Sequence, residues 1–412
     1  MGHTGGLPEN DSTVQRIKMN QVKKIILKRG KDEPLKRFHP WVFSGAILKT
    51  EGPLNEGDLV SVYSENGEFL ALGHYQIGSI AVRIFSFSEI EPTPDFWKTK
   101  LETALSVRKS AGLLNDETNV SRLVHGEGDG LPGMIIDFYN GVAVLQFHSI
   151  GMYQLRNLFT NALHDLLGEK LTAVYDKSTK TLPFKAGLNP QDCYLTGKSL
   201  PVVICENGIS FRVNPETGQK TGFFIDQRDN RKLLESFSKG REVLNLFSYT
   251  GGFSLYALRG GAKLVDAIDS SAQAVELERE NGLLNFGQDP RHTVYVSDVA
   301  DFMKNIDRKY DLMVIDPPAF SKHRDSLSKA LQAYKRLNAK AIDSIRSGGI
   351  LFTFSCSQVV SKEKFRETIF SAAALTGRNV RILHQLVQPA DHPVNIYHPE
   401  GEYLKGLVLY VE

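Results

Sequence analysis

A chain of 412 residues with 41% hydrophobic and 23% charged residues has the composition of a soluble globular protein, long enough for two or three domains. No apolar run is long enough to span a bilayer, no stretch near Met1 reads as a secretory signal, and a net charge of +2 does not announce a nucleic-acid binder. The three cysteines, Cys193, Cys205 and Cys356, are too few and too scattered for a disulfide framework or a Cys-rich zinc site, and a reducing cytoplasm fits.

Residues 1–20 read as a flexible polar tail. Between Arg16 and Lys49 ten basic residues stand against two acidic ones, Asp32 and Glu33, which predicts a local footprint for phosphate. His39, Trp41 and Phe43 lie in or just after this stretch, and aromatics beside cations suit single-stranded RNA. The plainer alternative is a solvated basic face with Trp41 in the core. Short β-rich runs at 59–63, 69–75 and 80–87 predict a small barrel or sandwich. Glu91-Pro-Thr-Pro94 reads as a linker, and 96–111 has helical spacing. A second β-rich region follows. Its runs at 134–138 and 142–147 flank the hairpin signal Asn140-Gly141, and the glycines of 126–133 read as turns. A helix is expected over 155–167 and a strand over 171–175.

After a strand at 209–213 the chain enters a Gly-rich polar loop, 214–228, which runs into a helix at 230–237. Strands then alternate with helices. The strands are expected at 243–247, 264–268, 293–296, 312–315 and 350–354, and the helices near 252–259, 272–285, 328–345 and 362–374. That alternation predicts a doubly wound parallel sheet, an α/β Rossmann-like fold. Runs at 382–387 and 407–411, joined without a clear helix, predict a closing pair with an antiparallel member. The expected division is 21–93, 94–205 and 206–412.

In an open parallel sheet, ligands sit beyond the carboxyl ends of the strands. The first strand of the alternation ends in Asn245-Leu-Phe-Ser-Tyr-Thr-Gly-Gly-Phe253, a glycine-containing turn that can approach an adenosine-type cofactor. The next ends in Asp269, about 20 residues on, where a carboxylate can accept from ribose hydroxyls, and the third ends in Asp298, within reach of an adenine amine. Either Asp could instead be a helix N-cap. The fourth ends in Asp316-Pro-Pro-Ala-Phe320, whose prolines hold the carboxyl rigidly at the mouth of the sheet. The fifth, 350–354, ends in Ser355-Cys356-Ser357 and brings a thiol to the same edge; the alternative is a small buried structural Cys.

These residues together resemble a family. His39-Pro-Trp-Val-Phe-Ser-Gly45, Glu127-Gly-Asp-Gly-Leu-Pro-Gly133, the 218–228 stretch, the 245–253 turn, Asp316-Pro-Pro318 and Ser355-Cys-Ser357 are similar to the motifs of class I S-adenosylmethionine-dependent methyltransferases. Within that class the likeness is to the bacterial large-subunit ribosomal RNA cytosine-C5 methyltransferase I type. It implies an N-terminal PUA β-barrel, a central β-rich α+β domain and a Rossmann-like catalytic domain. It also implies large-subunit (23S) ribosomal RNA as partner, and allows a homodimer. S-adenosylmethionine would meet Gln227, Asn245, Phe247, Ser248, Tyr249, Thr250, Gly251, Asp269, Asp298 and Asp316, with no metal. Cys356 would be the nucleophile and Asp316 would sit beside the same base. A thiolate adding to C6 makes C5 able to take a methyl group, which is covalent catalysis on an unstacked base. Many RNA cytosine-C5 enzymes carry a second Cys after the proline of the fourth-strand motif. Here Pro318 and Ala319 stand there, so product release must use another group.

Two other readings predict different behaviour. In amino-N methylation Asp316-Pro-Pro318 would hold an exocyclic amine, and Cys356 would be structural. A catalytically silent RNA-binding assembly factor would bind RNA in a salt-dependent way without turnover. The eleven histidines form no HExxH pattern, which argues against a metal hydrolase, and His384, His392 and His398 read as loop or core residues.

Overall fold

The computed structural model describes residues 22–182, 188–198, 201–306, 310–321 and 324–412. The expected tail, with Arg16 and Lys18, lies outside them. The first sheet holds β1 (Lys23–Leu27), β2 (Trp41–Phe43), β3 (Ile47–Thr50), β4 (Leu59–Tyr63), β5 (Phe69–Tyr75) and β6 (Ile80–Ser86), in the order β2-β6-β5-β4-β1-β3. A single helical turn, α1 (Glu33–Lys36), follows β1. Side chains alternate along a strand, so Ile25 and Leu27 face the core with Val60, Val62, Val82 and Ile84, while Lys24 and Lys28 point outward.

The second sheet has the order β11-β10-β9-β8-β7. Its strands are β7 (Val120–His125), β8 (Met134–Tyr139), β9 (Val142–Phe147), β10 (Ala173–Asp176) and β11 (Cys193–Thr196). The β8–β9 turn has Asn140 at φ 43° and Gly141 at φ 101°, the left-handed pair that a two-residue hairpin needs. α2 (Pro94–Ser110), α3 (Ile150–Gln154) and α4 (Arg156–Leu167) close this core with Trp97, Leu101, Met152, Phe159 and Leu163. A separate hairpin, β12 (Val202–Glu206) and β13 (Ile209–Val213), follows. The boundary expected at 205 falls inside it, so a division before Val202 keeps both strands together.

The third sheet has seven strands. It runs β16-β15-β14-β17-β18-β20-β19, built from β14 (Glu242–Leu246), β15 (Leu264–Asp269), β16 (His292–Val296), β17 (Leu312–Ile315), β18 (Gly349–Ser355), β19 (Val380–Leu386) and β20 (Lys405–Val411). The first five are parallel, and β20 pairs antiparallel with both β18 and β19. α5 (Arg228–Phe237) and α6 (Gly252–Arg259) pack on one face, against Val243, Val314 and Phe352. α7 (Ala272–Phe286) follows β15. α8 (Val299–Lys304), α9 (Leu327–Ser344) and α10 (Lys362–Thr376) pack on the other face, against Leu244, Met313 and Leu351. Burial on both faces is why these strands read as unbroken apolar runs. No helix among the described residues is long and apolar enough to cross a membrane.

Candidate active site

The chain leaves β14 outward to β15 and β16, then returns to β17 on β14's other side, so the strand order reverses beside β14. Ligand crevices form at such a switch point. In sheet order the carboxyl ends of β16, β15, β14, β17 and β18 lead into Asp298, Asp269, the 247–251 turn, Asp316 and Cys356.

The turn after β14 is conformationally expensive. Phe247 and Tyr249 have φ of 62° and 51°, a region that bulky side chains avoid, and Gly251 has φ 84°. Hydrogen bonds hold it: Ser248 N donates to Ile268 O at 3.0 Å, Tyr249 N to Asp269 Oδ2 at 3.0 Å, and Ser248 Oγ to Glu278 Oε2 at 2.5 Å. Asp269 also accepts from Ser271 N at 2.8 Å through Oδ1, so it fastens the turn as well as standing at the crevice. Asp298 is exposed and caps α8, accepting from Ala300 N at 2.8 Å and Asp301 N at 3.1 Å. Asn245 Oδ1 and Thr250 Oγ1 are buried and have no hydrogen-bond partner among the described residues. Buried acceptors call for a donor, and an adenosine cofactor with hydroxyls and amino groups supplies several. A strained turn with orphaned acceptors therefore fits such a group.

Asp316 stands at the end of β17. Burial pushes its carboxyl up to about 7, the negative charge of Asp226 adds to this, and a hydrogen bond from Gln227 with the cations Lys220 and Arg231 opposes it. Gln227 Oε1 accepts from Asn230 Nδ2 at 2.6 Å, which leaves the Gln227 amide nitrogen as the donor to Asp316. Cys356 is half-buried just past β18. Burial pushes its thiol up, Lys220 pulls it down, and Asp316 and Asp226 add to the rise.

Lys220, Asp226 and Gln227 act on Asp316 because the 214–227 loop that carries them is tied to this edge of the sheet. Tyr249 OH accepts from Gln219 N at 3.0 Å and donates to Gly222 O at 3.2 Å, which stitches this loop to the turn after β14. The second sheet holds the loop from behind. Thr221 Oγ1 donates to Asp137 Oδ2 at 2.6 Å, and Lys177 Nζ donates to Pro215 O and Gly218 O, each at 2.6 Å. Lys220 (φ 49°) lies with its ammonium 4.8 Å from the Phe224 ring centre and 3.9 Å from Asp226 Oδ2. From the opposite side, the β18–β20 register sets Lys405 across from Ser355. Lys405 is buried, donates to Ser357 O and Val360 O at 2.6 Å each, and burial lowers its ammonium to about 8.

Lys220, Asp226, Tyr403, whose hydroxyl donates to Asp226 Oδ2 at 2.7 Å, and Lys405 thus join the candidate site, and the strand-end reasoning did not single them out. The first two lie within the 218–228 stretch that the sequence marked as a motif. Tyr403 and Lys405 reach the site only through the antiparallel return of β20, 48 residues beyond Ser357 in the case of Lys405. Trp41 is half-buried, and its indole donates to Glu127 Oε1 at 2.7 Å, so it joins the first sheet to the second rather than standing open to RNA. His398 is in a buried loop position, 4.3 Å from the Trp41 ring centre.

Residues 25–87 match the PUA-like domain family, and residues 121–394 match the S-adenosylmethionine-dependent methyltransferase family. The chain is 39% identical over 394 residues to ribosomal RNA large subunit methyltransferase I of Alteromonas mediterranea, covering 94% of this chain and 98% of that one. To the Escherichia coli protein of the same name it is 37% identical over 395 residues, covering 94% and 99%. A Streptococcus mutans protein described as a SAM-dependent methyltransferase shares the fold, with a TM-score of 0.81 at 24% identity over 94% of this chain and 100% of that one. A methyltransferase solved with S-adenosylhomocysteine gives a TM-score of 0.82 at 24% identity, with the same coverage. The PUA-like sheet, the Rossmann-like sheet with its strained turn, and near-full-length identity to these relatives agree: the chain belongs to the S-adenosylmethionine-dependent methyltransferases, in the ribosomal RNA large subunit methyltransferase I family.

Proposed function

We propose that this chain methylates C5 of a cytosine in large-subunit ribosomal RNA, in the cytoplasm, with Cys356 as nucleophile. The observation that carries the reading is the placement of a thiol and a carboxyl held near 7 at the ends of adjacent strands, beside the turn that fits the cofactor. S-adenosylmethionine, when bound, supplies an electrophilic methyl group, and Asn245, the 247–251 turn, Asp269 and Asp298 would hold it, with Gln227 and Asp316 at its edge. Cys356 adds through sulfur to C6 of the unstacked base, and Lys220 favours the thiolate. Asp316, protonated up to about 7, donates to N3 as the addition places charge there. Lys405 anchors the backbone of 357–360 and so fixes the direction in which Cys356 leaves its strand. Phosphate contacts fall to the outward side of the first sheet and its loops, where Lys24, Lys28, Arg29 and Lys31 are exposed, as is the ring of Phe43.

The test uses ribosomal RNA carrying 5-fluorocytosine. Fluorine cannot leave as a proton does, so the wild-type enzyme should be trapped as a covalent protein–RNA complex. Cys356→Ser should lose both trapping and turnover while keeping cofactor affinity. Cys193→Ala and Cys205→Ala, on other sheets, should retain activity. A Cys356→Ser enzyme that still methylates natural RNA would shift the reading to amino-N methylation at Asp316-Pro-Pro318.

A further inference from the structure

We propose that Asp226 is the base that removes the C5 proton and thereby frees the methylated cytosine from Cys356. The inference rests on the cytosine-C5 reading above and answers the question that Pro318 and Ala319 raise, since no second cysteine follows Asp316-Pro317.

Asp226 sits on the short turn Ile225–Gln227, immediately before the residue that hydrogen-bonds Asp316. Its side chain is only 8% exposed. Oδ2 accepts from Tyr403 OH at 2.7 Å and lies 3.9 Å from the Lys220 ammonium. Oδ1 is buried and has no hydrogen-bond partner among the described residues. A carboxylate fixed by one oxygen, with the other buried and unpaired, is poised to take a proton from something that enters the site. The negative charge of Asp226 acts on both Asp316 and Cys356.

The environments assign the roles. Burial alone would raise Asp226, but Lys220, His392, the Tyr403 hydroxyl and Arg122 outweigh it and hold the carboxyl below its ordinary value, ionised and able to accept. Burial and the charge of Asp226 leave Asp316 protonated up to about 7 and able to donate. Two neighbouring carboxyls driven apart in this way form an acid and base pair. Other nearby carboxylates are already engaged: both oxygens of Asp269 accept backbone N–H groups, and Glu278 accepts from Ser248 and contacts His292.

Once C5 bears both its hydrogen and the new methyl group, Asp226 Oδ1 takes the C5 proton. The C–H electron pair becomes the C5–C6 double bond. The C6–S bond breaks with its pair remaining on sulfur, and Cys356 leaves as thiolate. The N3 proton returns to Asp316, and Asp226, now a neutral acid, gives its proton to solvent.

Asp226→Asn keeps the shape and the bond from Tyr403 but removes the base. Incubated with S-adenosylmethionine and natural ribosomal RNA, it should accumulate a covalent protein–RNA complex carrying the transferred methyl, while turnover falls by about 100-fold or more. The complex should vanish in Asp226→Asn/Cys356→Ser. Calorimetric affinity of Asp226→Asn for S-adenosylmethionine should stay at the wild-type level, which also reports that the variant is folded. In Asp226→Ala, added formate should restore release. Near-wild-type turnover by Asp226→Asn, or inactivity without any methylated adduct, would overturn the assignment. The wild-type 5-fluorocytosine trap separates the two failures. If that trap does not form, the cytosine-C5 reading falls; if it forms while Asp226→Asn builds up no adduct on natural RNA, only the role of Asp226 falls.

Discussion

At the scale of single residues, the proposed cytosine-C5 reaction requires Asp316 and Cys356 to start in opposite protonation states. The carboxyl needs its proton, which burial keeps on it up to about 7; the thiol must lose its own, which burial makes harder and Lys220 makes easier. The thiol titrates above Asp316, so kcat/KM should rise with pH up to about 7, level off while further thiol ionisation offsets the loss of the Asp316 proton, and fall only once the thiol is fully ionised. Asp316→Asn cannot lose a proton in this range, so it should be slower and should lack the descending limb. Lys220→Met should lower the plateau and move the descending limb to higher pH, because it removes the cation that favours the thiolate. Steady-state rates of the three proteins across the pH range check both signs, and an unchanged profile in Asp316→Asn would remove it from the acid role.

At the scale of elements, the turn after β14 and the 214–227 loop work as one unit. The left-handed conformation at Tyr249 is unfavourable by itself and persists because the tyrosine hydroxyl bridges Gln219 N and Gly222 O while its own N–H reaches Asp269. Asp269→Ala removes the acceptor for two backbone N–H groups at once, those of Tyr249 and Ser271. Calorimetry should find cofactor affinity weakened by about 1–3 kcal/mol, the range for leaving a buried polar group unsatisfied; equal affinity would mean that the turn holds its shape without the carboxylate. α8 is an element that periodicity could not announce: at 6 residues it is under two turns, and its clearest local sign is the capping Asp298.

At the scale of the molecule, buried ion pairs lock the sheets together. Asp391 Oδ2 lies 3.0 Å from Arg228 Nη1 and accepts from Arg122 N at 3.1 Å, while Arg108 donates to Asp391 O at 2.8 Å. These contacts join the C-terminal loop, the second sheet and α5, so the loop that carries Lys220 and Asp226 is held by a frame rather than by its own sequence. The first sheet adds an outward basic face. Lys23 is paired with Asp58 at 2.6 Å and Lys36 with Asp32 at 2.8 Å, which leaves Lys24, Lys28 and Arg29 as the better candidates for phosphate contact. Reversing Lys24, Lys28 and Arg29 to Glu should weaken RNA binding and flatten its dependence on salt between about 50 and 200 mM, because fewer counterions are released. Filter binding that stays as steep and as tight as wild type would place the RNA elsewhere.

Local features are legible in short runs of residues. Apolar segments bounded by glycine and small polar residues located β14, β15, β17 and β18 to within a residue or two, and so delivered Asp269, Asp316 and Cys356 to one edge. Strand period and strand ends are local properties, and the side on which a parallel strand exposes its ligands follows from the fold class. Tertiary structure decided what depends on distant partners. Trp41 is held by Glu127, 86 residues away, and Lys405 comes beside Cys356 because β20 runs antiparallel to β18. The cation that tunes the thiol is Lys220, placed by a loop pinned to another sheet through Thr221 and Lys177. Protonation followed the same rule. A carboxyl's proton affinity is set by burial and by charges gathered from separate strands, so Asp316 near 7 and Asp226 held low became legible only when the chain had closed around them.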